Sequence, residues 1–199
     1  MMDRHALKPL LAGGLLALGL IAALATGDRP EGQAPESSLL LRIVDEGSSL
    51  ISRGTPAPDF ELPDAAGENT VNLEDLKGES AAAVFVSFSC PYSRQLMRTV
   101  LDEGLPDLGQ RLLFIQRGGG TGREPAQEEA ELQEELVAQF PLLEDADGST
   151  FDAYRTSGVP TTYLLDAEAK VVASGVGEPE GARLVRALAA DVLGGQGSR

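Results

Sequence analysis

Any chemistry in this sequence turns on Cys90, the one cysteine among 199 residues. It lies between an apolar run, "AAAVFVSFS", and a stretch with helical apolar spacing that opens on Pro91. A thiol reacts as its thiolate, and a helix N-terminus favours negative charge through its unpaired N–H groups and its dipole. In "CPYS", Ser93 stands where the second thiol of a C-x-x-C pair would be. A serine cannot attack a mixed disulfide, but it can donate a hydrogen bond to a neighbouring thiolate. Arg94, one turn on, is expected to point to solvent, the alternative being that its charge adds to the effect of the helix terminus. The bland alternative for Cys90 is a small hydrophobe at a strand end, because free cysteine is commonly buried.

Other chemistries are limited by what the sequence lacks. The one histidine, His5, precedes an apolar N-terminal segment, so Cys–His pairs and His-based metal sites are excluded from the folded part. A zinc or iron–sulfur site needs more soft ligands than one cysteine supplies, so no metal and no cofactor are expected. With 16 Lys+Arg against 31 Asp+Glu, the formal charge is -15. That balance repels nucleic acid and anionic headgroups, and no nucleic-acid partner is expected. The acidic stretches "REPAQEEAELQEEL" and "LLEDADG" read as solvated surface, the first at helical spacing.

Arg4 and Lys8 stand before an uncharged stretch from Pro9 to Thr26. This is the layout of a signal anchor or signal peptide over residues 1–26, with the positive end retained in the cytoplasm. A length of about 18 residues sits at the lower limit for a bilayer span, and Ala23-Leu24-Ala25 offers an A-x-A cleavage site. No cysteine follows the segment, so a lipid-modified N-terminus is not supported. The domain is expected outside the cytoplasm, periplasmic or on the outer face, held by this single segment or secreted if it is cleaved. Disulfides form and persist there, so a cysteine without an intrachain partner stands out. Residues 27–53 read as a Pro/Gly-rich tether followed by a possible short helix in "SLLLRIVDEGSSLIS".

The elements that must position Cys90 occupy residues 54–194, with 195–199 as a flexible tail. Short extended pieces are expected around Phe60–Leu62 and Thr70–Leu73, with a helical turn at Glu74–Leu76. "AAAVFVSFS" has the length and continuity of a strand buried on both faces. After it, Leu96, Met97, Val100 and Leu101 repeat at helical spacing behind Pro91. "RLLFIQR" is a second strand, and Pro125 is expected to open an acidic helix reaching Phe140. A short strand and turn in "PLLEDADGS", a brief helix in "TFDAYR", a hairpin from "PTTYLLD" to "KVVASGV", and a helix over "PEGARLVRALAADVL" complete the order. Strands and helices alternate, so the class is α/β, with no internal repeat.

Three segments carry a family likeness: "GTPAPDFEL", "AAAVFVSFSCPYS" and "YRTSGVPTTYLLDAEAKVVASG". In this order they resemble the membrane-anchored thioredoxin-like proteins of the TlpA/ResA group, with the MauD proteins a possible nearer relative, over about residues 54 to 192. The resemblance implies a thioredoxin-like fold, a central mixed sheet flanked by helices. It also implies a cis-proline at Pro160 facing Cys90, with Val159 offering backbone groups to an extended client. Cis bonds belong almost entirely to X-Pro, so Val159–Pro160 can adopt one. Two departures stand out: the usual second cysteine is Ser93, and the buried carboxylate of thioredoxins has no counterpart in "AAAVFVSFS". "CPYS" also resembles a glutaredoxin site that has lost its second cysteine.

The expected function is monothiol-disulfide exchange through Cys90 with a client protein thiol or disulfide, finished by an external thiol or redox partner protein. Cys90, Ser93 and Pro160 are the expected catalytic residues; Pro91, Tyr92, Val159 and Thr161 are expected to hold the client. The alternative is a non-catalytic thioredoxin-fold binding or assembly module for a periplasmic partner. A lesser alternative is a peroxiredoxin-like thiol peroxidase. Ser87 stands three residues before Cys90 as a peroxidatic threonine would, but Ala83 replaces the proline expected seven before, and Pro160 occupies the region where such enzymes carry an arginine.

Overall fold

A computed structural model describes residues 50–118 and 124–196. The N-terminal segment and nearly all of the tether with its possible helix lie outside the described residues.

The buried run becomes strand β3, Ala81–Val86, with every residue buried. It is central in a five-stranded sheet of order β5-β4-β3-β6-β7. The other strands are β4 (Leu112–Arg117), β5 (Leu142–Asp145), β6 (Thr161–Leu165) and β7 (Val171–Val176). β3 pairs in parallel with β4 and antiparallel with β6, so the sheet is mixed. Successive side chains of a strand face opposite sides of the sheet. Ala82, Val84 and Val86 accordingly join one core layer, and Ala81, Ala83 and Phe85 the other. A strand covered on both faces has no polar side, which is why its sequence does not alternate.

Helices α1 (Pro91–Asp102) and α4 (Glu178–Gln196) cover the first face; α2 (Gln127–Val137) joins them, and the short α3 (Ser149–Ala153) lies on the other. Leu96, Met97 and Val100 of α1 pack with Leu184, Val185 and Leu188 of α4. The two helices approach closely at Gly181, where a Cβ would stand 2.7 Å from a Leu96 methyl and 3.0 Å from Thr162 Oγ1. A small antiparallel pair, β1 (Glu61–Pro63) and β2 (Thr70–Asn72), precedes the main sheet, followed by a 3-10 turn at Leu73–Leu76. This is the thioredoxin-like arrangement that the resemblance implies.

Helix α2 departs from expectation at both ends. It opens at Gln127 rather than Pro125, because Ala126 is the extended N-cap residue and Glu129 Oε2 accepts a hydrogen bond from its N–H at 3.1 Å. It closes at Val137 rather than Phe140, since the residue before Pro141 is disfavoured in helical conformation.

Candidate functional site

β3 ends at Val86, and Ser87–Ser89 carry the chain into α1 through a turn closed by Cys90 N–H donating to Ser87 O at 3.0 Å. Cys90 is the N-cap residue of α1, extended at φ -85°, ψ 121°, and Pro91 occupies the first helical position. Proline's fixed φ suits that position, and its missing N–H costs nothing where N–H groups have no helical partner. Cys90 is half-buried, Pro91 is exposed and Tyr92 is 64% exposed.

The second half of the site comes from the segment between α3 and β6. Tyr163 O–H donates to the carbonyl of Tyr154, anchoring the end of α3 to the sheet. Burial pushes the Tyr154 hydroxyl well above its ordinary titration range, with Tyr163 and Asp59 adding to the effect. From there the chain passes through Arg155, at φ 53°, to a cis bond between Val159 and Pro160. Pro160 O accepts from Gly177 N at 2.8 Å, which ties the turn to the end of β7.

The two halves meet at the sulfur: Cys90 Sγ donates to Val159 O at 3.3 Å, across 69 residues of sequence. The arrangement places a solvent-reachable thiol at a helix N-terminus beside the backbone of a cis-proline turn. Such a thiol can exchange with a disulfide, and the Val159 backbone can pair with an extended chain once the sulfur is engaged.

The sequence-predicted residues divide on this geometry. Cys90, with the exposed Pro91 and Tyr92 beside it in the chain, meets Val159 O, while Pro160 itself is buried behind the cis bond. Ser93 is fully buried and its Oγ accepts from Ser87 N–H at 3.3 Å, so that hydroxyl supports the turn that carries the nucleophile. Thr161 corrects an expectation: it is fully buried between β3 and β7, and its hydroxyl donates to Gly158 O at 2.7 Å. It shapes the cis-proline turn and has no face to offer a client. Arg94 corrects another. In place of pointing to solvent, it folds back so that Nη1 donates to Phe88 O at 2.7 Å, and the same nitrogen lies 3.6 Å from Glu129 Oε1.

Glu129 lies in the stretch expected as solvated surface, but it is 9% exposed and faces Arg94. A readable signal existed: Glu129 is in helical phase with Leu132 and Leu136, the buried stripe of α2. Among the described residues, no group of three or more His, Cys, Asp or Glu is placed to hold a metal ion. Also among them, no helix is long and apolar enough to cross a membrane.

Comparison with known proteins fits this geometry. The AhpC/TSA family model matches residues 53–174, which contain both halves of the site. The chain belongs to the AhpC/TSA family. It is 28% identical over 133 residues to the thiol-disulfide oxidoreductase ResA of Bacillus subtilis, covering 67% of this chain and 72% of that protein. Among solved structures it resembles the exposed lipoprotein thioredoxin of Streptococcus pneumoniae, with TM-score 0.51 and 25% identity over 66% of this chain and 98% of that one. A hypothetical protein of Sinorhizobium meliloti is 30% identical with TM-score 0.55, over 72% of this chain and 86% of that one. Within the family, these relatives support the TlpA/ResA group to which the three sequence segments point.

Proposed function

We propose that the protein is a thiol-disulfide oxidoreductase that works outside the cytoplasm as a monothiol, through Cys90. The observation that carries this reading is the Cys90 sulfur, half-buried at the start of α1 and 3.3 Å from Val159 O of the cis-proline turn. The ResA relative supports the reaction class, and Arg4 and Lys8 before the apolar Pro9–Thr26 support the location.

In the first step the Cys90 thiolate attacks one sulfur of a client disulfide. A bond forms between Cys90 and that sulfur, the client's S–S bond breaks, and its other sulfur leaves as a thiolate that takes a proton from water. Ser93 has no sulfur with which to attack the new bond. An external thiol does so at the client's sulfur, releasing Cys90 as a thiol and leaving the client joined to the external thiol. Tyr92 and Pro91 flank the client, and the Val159 backbone, freed from Sγ, pairs with it.

The test is to incubate the full chain with a disulfide-bonded protein, quench with acid and look for a covalent adduct that thiols reverse. The adduct is expected with the parent chain and absent with Cys90→Ser; absence from both would end the proposal. A second reading, a binding module without chemistry, is favoured by the full burial of a serine, Ser93, where a resolving thiol would stand. It predicts that Cys90→Ser keeps client affinity and function. The peroxidase reading draws less support, because the Ser87 hydroxyl is engaged with Ser89 Oγ at 2.8 Å.

A further inference from the structure

Cys90 has no covalent partner and lies on a turn of four residues, so its aim depends on what holds that turn. One polar hold is made by Arg94 of α1, with Glu129 of α2 behind it. Arg94 N–H donates to Cys90 O at 3.0 Å, the first hydrogen bond of α1, while the Arg94 side chain reaches past the cysteine to Phe88 O at 2.7 Å. The same residue therefore grips the backbone on both sides of Cys90. Its guanidinium lies 3.6 Å from Glu129, which is 9% exposed on α2 and also accepts from Ala126 N–H.

We propose that the Arg94–Glu129 pair is a positioning device through which α2 holds the Cys90 turn in its reactive geometry. The inference rests on the exchange reading given above. Three physical points support it. A carboxylate as buried as Glu129 needs a partner charge, since an uncompensated buried charge is strongly destabilising. Arg94 Nη1 faces both groups, 2.7 Å from Phe88 O and 3.6 Å from Glu129 Oε1, so one cationic N–H group serves a carbonyl and a carboxylate together, as a lysine ammonium on its flexible stem also can. A long side chain loses considerable rotamer freedom when held, and the Glu129 charge 3.6 Å from Nη1 favours the placement that reaches Phe88 O. Reactions at a fixed nucleophile are sensitive to displacements on the order of 1 Å. A loosened turn should therefore slow exchange before it unfolds the domain.

The experiment uses the full chain and three variants, Arg94→Met, Arg94→Lys and Glu129→Gln. The probe is a small uncharged disulfide, bis(2-hydroxyethyl) disulfide, and the second-order rate of mixed-disulfide formation is read beside the thermal midpoint. Arg94→Met, which keeps the stem but loses every donor, is expected to react about tenfold more slowly. Arg94→Lys should recover most of that loss. Glu129→Gln, which keeps an oxygen for Ala126 N–H and leaves Arg94 in place, should fall between. If Arg94→Met folds poorly, Glu129→Gln decides alone: a parent-like rate overturns the inference. So does a lysine variant no faster than the methionine one, or losses that merely track the thermal midpoint. Failure of the parent chain itself to form the mixed disulfide would overturn the exchange reading, a result distinct from a reactive parent matched by its variants.

Discussion

The first turn of α1 has two sides that the fold treats in opposite ways. Pro91 and Tyr92 are exposed, and half-buried Cys90 donates from its sulfur to Val159 O at the cis-proline turn. Ser93, Arg94, Leu96 and Met97 face inward or sideways and are held by core packing, by the Ser87 and Phe88 backbone and by Glu129. The outer side keeps a group free to react, while the inner side uses its polar groups to hold that group still. A C-x-x-C pair would draw one cysteine from each side. In this chain the inner one is a serine, whose Oγ accepts from Ser87 N–H in the turn before Cys90.

This comparison predicts where substitutions act. The largest effect is expected on the outer side: Cys90→Ser should abolish mixed-disulfide formation, read by mass spectrometry of acid-quenched reactions, with an unchanged thermal midpoint. Ser93→Cys should erase the difference between the sides. Its mixed disulfide should collapse to an intramolecular one and release the client, so the adduct that persists on the parent should vanish without added thiol. Leu96→Ala, on the inner side, should cost about 2–5 kcal/mol in denaturant unfolding, because it empties a fully buried position between α1 and α4. Exchange chemistry should survive in the fraction that remains folded. Tyr92→Ala should leave stability within about 0.5 kcal/mol, as exposed positions usually do, and slow exchange with a protein disulfide more than with a small one.

The smallest effect lies far from both sides. Hydrogen bonds from Asn69 and from the backbone N–H groups of Glu68, Asn69 and Gly67 hold the Asp64 carboxyl below its ordinary value. A group lowered in the folded state stabilises above its unfolded value and loses that contribution as pH falls through the folded one. Asp64→Asn should therefore flatten the acid limb of the stability curve below about pH 4 and leave neutral stability slightly lower.

Much of this was legible in the sequence because it rests on local rules. A continuous apolar run suits a covered strand, which takes its first six residues, Ala81–Val86, and Cys-Pro before a helical stripe suits a helix N-terminus. The family likeness, rather than any local rule, pointed to the cis bond at Val159–Pro160. What stayed hidden were contacts whose partners come from separate elements. Arg94 looked like a surface arginine because its acceptor, Phe88 O, is a backbone atom, and its counter-charge lies 35 positions on in an apparently uniform acidic helix. Thr161, expected beside a client, has both edges paired, to Phe85 of β3 and Val176 of β7, strands that are distant in sequence.

The central claim is that the outer side of this turn carries a working nucleophile, and one rate tests it most directly. Reduced full-length chain is mixed with 2,2′-dipyridyl disulfide at neutral pH, and release of the pyridine thione is followed for the native and the urea-denatured protein. The account predicts one equivalent released per chain, faster from the native protein than from the denatured one. A native thiol that reacts more slowly than its denatured counterpart would contradict it, and would leave Cys90 as a packing residue in a thioredoxin-shaped binding module.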